Sequence, residues 1–145
     1  MLTVQYPEPD FKIRKEEGRE QVFDRFRKKW VTLTPEEWVR QNFVAYLTQV
    51  LKYPESLLAI EKEIKLGELN KRFDILIYNR EHQPWLMVEC KAPEVNLSED
   101  VLQQVLRYSI TLPVTYLLIT NGAYTMGWMK ENGRLLALNE LPVFT

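Results

Sequence analysis

"RFDILIYNREHQPWLMVECKAP", Arg72 to Pro93, decides the fold. Two apolar runs, Phe73 to Tyr78 and Trp85 to Cys90, flank the polar segment Asn79 to Pro84. Runs rich in Ile, Leu, Val and aromatics, bounded by turn residues, read as β-strands. The stretch is therefore a hairpin, and its charges need explaining. Asp74 sits inside the first run, and Glu89 and Lys91 close the second. If Asp74 stands opposite Glu89, the turn falls at Glu81–His82, in the middle of the polar loop. Opposed residues share a face, and side chains alternate along a strand. That register puts Asp74, Leu76 and Tyr78 with Trp85, Met87, Glu89 and Lys91 on one face. Ile75, Ile77, Leu86, Val88 and Cys90 fall on the other. One end of one face then carries two carboxylates and a lysine.

Two nearby carboxylates repel unless positive charge sits between them. A divalent ion supplies it. Magnesium accepts one or two protein carboxylates and keeps several waters. Such an ion polarises a phosphoryl oxygen and acidifies a bound water, and Lys91 would steady the charge developing on phosphorus. The competing reading is a surface ion pair between Glu89 and Lys91, which contributes little. An aspartate in register on the neighbouring strand tips the balance toward metal-assisted phosphodiester hydrolysis.

Upstream, "TPEEWVRQNFVAYLTQVLKY" is the clearest helix. Thr34 is a natural N-cap, Pro35 fits the first helical position, and Glu37 completes a Thr-x-x-Glu capping box. Val39, Phe43, Val44, Tyr46, Leu47, Val50 and Leu51 share one face at helical spacing. On the wheel Glu36 points toward that face and Glu37 to its edge, so Glu36 needs a partner. Arg40, one turn on, pairs with it in the plain reading. "AIEKEIKL" alternates as a strand with one wet face. Downstream, Ser98 caps a second helix, "SEDVLQQVLRYSITL", whose first turn is acidic, as the dipole prefers. Gln104 and Tyr108 flank its apolar stripe, placed either toward the site or at the surface. "VTYLLITNG" is a buried strand, and "AYTMGWMKENGRLLAL" is a strand, an Asn-Gly turn and a final strand. Residues 1 to about 10 read as an arm or edge segment. "FKIR" and "KKWVTL" suit short strands, with the chain between them unassigned.

The 145 residues are expected to form a single domain (1–145), with an N-terminal extension over 1–33 and a core over 34–130. The fold class is α/β, a sandwich around a mixed sheet. One cysteine allows no internal disulfide, no leader is apparent, and no apolar run suits a membrane span, so a cytoplasmic location is expected. A net charge of −1 speaks against coating nucleic acid by charge alone. The basic cluster Arg25, Arg27, Lys28 and Lys29 is either solvated surface or a phosphate-contacting patch. Arg72, on Asp74's face, either pairs with a carboxylate or touches a phosphate.

At these residues the sequence resembles the PD-(D/E)xK nuclease superfamily. The resemblance rests on Asp74, fourteen intervening residues, then Glu89-Cys90-Lys91, with Gln104-x-x-x-Tyr108 beyond. "LTPEEWVRQ", "KRFDILIY", "WLMVECKAP" and "LITNG" are together similar to the N-terminal nuclease region of type I restriction enzyme R subunits, over roughly residues 28–130. Phe73 stands where the superfamily pattern has proline. The resemblance implies a restriction-endonuclease-like three-layer α/β/α sandwich with core order αβββαβ, and a magnesium-dependent DNA endonuclease in which Mn²⁺ substitutes. It implies metal binding by Asp74, Glu89 and the backbone carbonyl of Cys90, with Glu36 as the first-helix glutamate. Lys91 takes the catalytic lysine role, and Gln104 and Tyr108 the accessory one. DNA contacts are expected from Arg72, Tyr108, Arg40, Lys28 and Lys29. No P-loop motif is present, so translocation is expected of partner subunits. The alternative is a catalytically silent module that binds DNA or protein. Oligomeric state and DNA specificity are not legible.

Overall fold

In a computed structural model, the hairpin becomes the centre of a six-stranded sheet. The structure describes every residue except Thr111; the side chains of Leu66, Leu69, Tyr108 and Ser109 also lie outside the described set. A three-stranded antiparallel meander comes first: β1 (Ile13–Glu16), β2 (Arg19–Asp24) and β3 (Lys29–Thr32). Helix α1 (Pro35–Ala45) continues into a π-helical turn, Tyr46–Val50. Then follow β4 (Leu58–Leu66), β5 (Leu69–Tyr78), β6 (Pro84–Cys90), α2 (Glu99–Ser109), β7 (Tyr116–Thr120), β8 (Thr125–Glu131) and β9 (Arg134–Ala137). The large sheet runs β4-β5-β6-β7-β8-β9, with β6 and β7 parallel and the other neighbours antiparallel. Helix, three strands, helix, strand is the expected order, and the sheet is mixed.

Hydrophobic burial divides between the two faces, at roughly 25 cal/mol per Å² of apolar surface. Phe43 of α1 and Leu47 of the π turn pack on Ile75, Ile77, Val88 and Leu118. Leu106 of α2 packs on the opposite face, against the cluster of Phe73, Leu76, Met87 and Leu117. Both termini close over the α1 side. The N–H of Leu2 donates to the Thr125 carbonyl at 2.8 Å, and Phe144 meets Tyr53 and Trp85 edge-on or tilted. Gly127 permits this approach: a Cβ there would stand 2.4 Å from Leu118 Cδ2 and 3.0 Å from Leu2 Cδ1. The turn between β8 and β9 is built by Asn132 and Gly133, both at positive φ (52° and 75°), the pattern of a type I′ hairpin.

From Ile75 to Ile77 the hairpin register is the expected one; at Tyr78 it shifts by one residue, so that Tyr78 pairs with Pro84 and not with Trp85. Ile75 faces Val88, Leu76 faces Met87 and Ile77 faces Leu86, so one further step sets Asp74 opposite Glu89. The strict alternation expected through Asp74 does not hold. Ile60 and Ile75 belong to the α1-side core, whereas Ile64 and Phe73 pack on the α2 side. Residues an even number apart on an uninterrupted strand share a face, so the alternation slips in both β4 and β5. The slip falls at Glu61 and Asp74. Both are missing from the otherwise continuous register, and Glu61 has φ 55°. Such an irregularity re-aims a side chain, and here it turns Asp74 toward α1, away from the face of Leu76.

The N-terminal extension holds one more strand than expected. Its charged middle, Arg19 to Asp24, forms β2, and the strand expected at "FKIR" starts two residues later, at Ile13. Val22 is fully buried beneath the meander, which its charged neighbours conceal in the sequence. Val50 and Leu51, expected on the buried face of the first helix, lie in and just after the π turn, and Val50 is exposed.

Candidate active site

The site begins at the first turn of α1. Thr34 caps the helix, its hydroxyl accepting the Glu37 N–H at 3.0 Å. The reciprocal half of the capping box is absent, because the Thr34 N–H donates to the Thr32 carbonyl. Glu37 instead turns inward and is 4% exposed. Its carboxylate accepts from Arg27 Nη2 (2.8 Å), Arg40 Nη1 (2.5 Å) and Gln41 Nε2 (3.1 Å). Arg27, from the β2–β3 turn, is anchored in turn on the fully buried Asp24. The inward-turned glutamate is thus Glu37 and not, as expected, Glu36. A helical wheel cannot show the distant arginine that draws Glu37 in.

Glu36 stays at the rim, its side chain 47% exposed and its Oε1 3.5 Å from Arg40 Nη2. Burial and the charge of Asp74 raise its pKa, against the opposing pull of Arg40 and Lys91. It therefore faces the Asp74 cluster, though not as the inward-pointing residue of the helix.

Asp74 joins three elements. Its Oδ1 accepts from Arg40 Nη2 at 3.0 Å, and its Oδ2 accepts the Cys90 N–H at 2.8 Å. Glu89, on the neighbouring strand, is largely buried. Burial first, then the charge of Asp74, raises its pKa, against Lys71 and Lys91; a hydrogen bond with Asp74 adds to the rise. The two carboxyls therefore interact, and Glu89 holds a proton more readily than an ordinary glutamate. Lys91 Nζ stands 3.5 Å from Glu89 Oε1, and the Lys91 N–H donates to the Thr120 carbonyl at 2.8 Å, fixing the end of β6 against β7. The structure thus brings together Asp74, Glu89, Lys91 and, at the rim, Glu36.

Glu61 belongs with them and is not among the expected residues. Its Oε1 accepts from Arg40 Nη2 at 2.7 Å and its Oε2 from Arg72 Nη1 at 3.2 Å. The signal for it lies in "KLGELN". A turn at Gly67–Glu68 pairs Leu66 with Leu69 and, carried back, sets Glu61 opposite Asp74.

The remaining expected residues divide between the cluster and the exposed surface. Arg40, expected at the DNA, is 5% exposed, and its guanidinium is engaged by Glu36, Glu37, Glu61 and Asp74. Burial alone would lower its pKa; Glu37, Asp74 and Glu61 outweigh that and raise it. Arg72 is exposed and reaches Glu61 and Glu63. Lys28 and Lys29 are exposed on the meander, and Gln104 is exposed on α2. The Tyr108 side chain lies outside the described residues. Cys90 is buried, and its N–H serves Asp74.

The donors are all oxygen, which suits a hard divalent ion. Among the described residues no group of three Asp, Glu, His or Cys side chains is gathered to hold an ion. Magnesium needs only one or two protein carboxylates, and the neighbouring Asp74 and Glu89 supply two. No helix among the described residues is long and apolar enough to cross a membrane.

Residues 35–142 match the family model described as the type I restriction enzyme R protein N terminus. No curated protein matches the chain. Among solved structures, the chain is similar to a fragment assigned as an HsdR subunit of a type I restriction enzyme from Vibrio vulnificus YJ016. The identity is 19% and the TM-score 0.53, over 77% of this chain and 24% of that one. At that identity the likeness concerns the fold. The chain spans about a quarter of the length of that relative.

Proposed function

The chain belongs to the type I restriction enzyme R protein N-terminal family, and on that premise we propose that it is a magnesium-dependent DNA endonuclease module working with other subunits of a restriction system. The carrying observation is the β5–β6 register, which brings Asp74 and Glu89 to the same end of the paired strands, with Lys91 beside Glu89. Asp74 and Glu89 would hold the ion, joined by the Cys90 carbonyl, with Glu36 at the rim. Bound there, Mg²⁺ (or Mn²⁺) supplies Lewis acidity toward a phosphoryl oxygen and a water of lowered pKa.

The chain's own residues do the rest. The partly exposed Lys91 ammonium is fixed beside Glu89. A cation already in place stabilises charge growing on phosphorus without reorganising at the moment of reaction. Arg72, Lys28 and Lys29 are exposed cations available to phosphates, which position a duplex without reading its sequence. Gln104 and Tyr108 take the accessory role of contacting DNA or ordering the site. Partner subunits would supply translocation.

Cleavage of plasmid and single-stranded DNA with Mg²⁺ or Mn²⁺ tests this reading. Asp74→Ala, Glu89→Ala and Lys91→Ala are each expected to lower the rate at least ~100-fold, the scale of losing an electrostatic catalytic group. Cleavage unchanged in all three sinks the assignment. The second reading, a silent binding module, draws on Arg40 filling the acidic cluster. Calorimetry separates the two: a Mg²⁺ binding heat that disappears in Asp74→Asn contradicts a metal-free scaffold.

A further inference from the structure

Arg40 is held from behind and presented in front. Nη1 is committed to Glu37, which Arg27 and Gln41 also grip. Nη2 faces three other carboxylates: Glu61 at 2.7 Å, Asp74 at 3.0 Å and Glu36 at 3.5 Å. Nε is buried with no hydrogen-bond partner. A guanidinium offers five donors in a rigid fork. Here one prong is tethered, one is shared among three acids, and the third donor position is unsatisfied. Two of these carboxylates, Glu61 and Asp74, accept hydrogen bonds from Nη2, and Glu36 is held by charge alone.

The carboxylates around Nη2 repel one another, and the guanidinium offsets that repulsion. A divalent cation at Asp74 would do the same work. Two positive charges drawn to one carboxylate oppose each other, and the opposition is reciprocal: whatever Arg40 costs the ion in affinity, the ion costs Arg40 in its hold on Asp74.

We propose that Arg40 is the resident counter-ion of the acidic cluster, and that a divalent cation binds by taking Asp74 from its Nη2. The inference rests on the metal reading of Asp74 and Glu89. The Glu37 tether keeps the guanidinium close, so it returns to Asp74 when the ion leaves. Arg40 thereby trades metal affinity for stability of the metal-free site. The β2–β3 turn, which lies before the family-matched residues, takes part through Arg27.

Mn²⁺ binding by calorimetry, with thermal unfolding in parallel, provides the test. Arg40→Gln is expected to bind Mn²⁺ at least tenfold more tightly than the wild type. It is also expected to melt at a lower temperature without metal, and to gain more from added Mn²⁺ than the wild type does. Arg40→Lys retains a charge but not the fork that spans Glu37 and Asp74. It is expected between the two, and it carries the test should the glutamine variant fail to fold. Affinity at or below wild type in the folded variants, with Asp74→Asn still abolishing binding, overturns the proposal and leaves the metal reading standing. Absence of Mn²⁺ binding in wild type and variants alike overturns both.

Discussion

The two helices that flank the sheet are held in opposite ways. Helix α1 buries eight residues, including Glu37, Arg40 and Gln41, and is fastened by ion pairs to the meander, β4 and β5. Helix α2 has no fully buried side chain among its described residues; Val101, Leu102, Val105 and Leu106 are half-buried, and the others are exposed. The difference teaches where precision is needed. A helix that must hold Arg40 and Glu36 against Asp74 is fixed by buried charges with directional partners. A helix that covers the opposite face needs only an apolar stripe.

Urea unfolding can break or sharpen this contrast. Glu37→Ala strips the shared anchor from Arg27 and Arg40, and its expected cost is about 3–5 kcal/mol, the range for breaking a buried pair. Gly127→Ala drives a methyl against Leu118 and Leu2 and should cost about 1–3 kcal/mol, as overpacking does. Leu106→Ala on α2 is expected to lose only about 1 kcal/mol, below the range for a fully buried leucine because it is half-exposed. Gln104→Ala should stay within about 0.5 kcal/mol, as exposed substitutions do. A loss at Leu106 equal to that at Glu37 would erase the distinction between the helices. A loss above 1 kcal/mol at Gln104 would show an ordering role for that side chain.

How far these features were legible depends on how local their causes are. The placing of Asp74 near Glu89 follows from turn position and strand period, both read within twenty residues, and the neighbouring pairs Ile75–Val88, Leu76–Met87 and Ile77–Leu86 are those found. The slip at Glu61 and Asp74 is a backbone event of two strands together, and no hydrophobic pattern within either strand reports it. Glu36 and Glu37 are neighbours on one helix. Which of them turns inward depends on Arg27, ten residues before Glu37 and in another element. Thr34 and Ser98 were legible as caps because an N-cap bonds within its own first turn. The β2 strand was hidden because, of its six residues, only Val22 and Asp24 are buried and one of those is an acid.

The single parallel junction among the described strands, β6 with β7, sets the order in which the site assembles as the chain folds. Antiparallel neighbours joined by tight turns close over short loops, whereas parallel neighbours wait for a crossover, here the segment that contains α2. The β4-β5-β6 and β7-β8-β9 ribbons are therefore separate local units, and the first already sets Asp74 opposite Glu89. The bond from the Lys91 amide to Thr120 forms only when the ribbons join. The grip of Arg40 on Asp74, thirty-four residues away, is likewise a late, long-range contact. The hairpin brings its two acids together over a short loop before the longer-range contact of Arg40 with Asp74 forms.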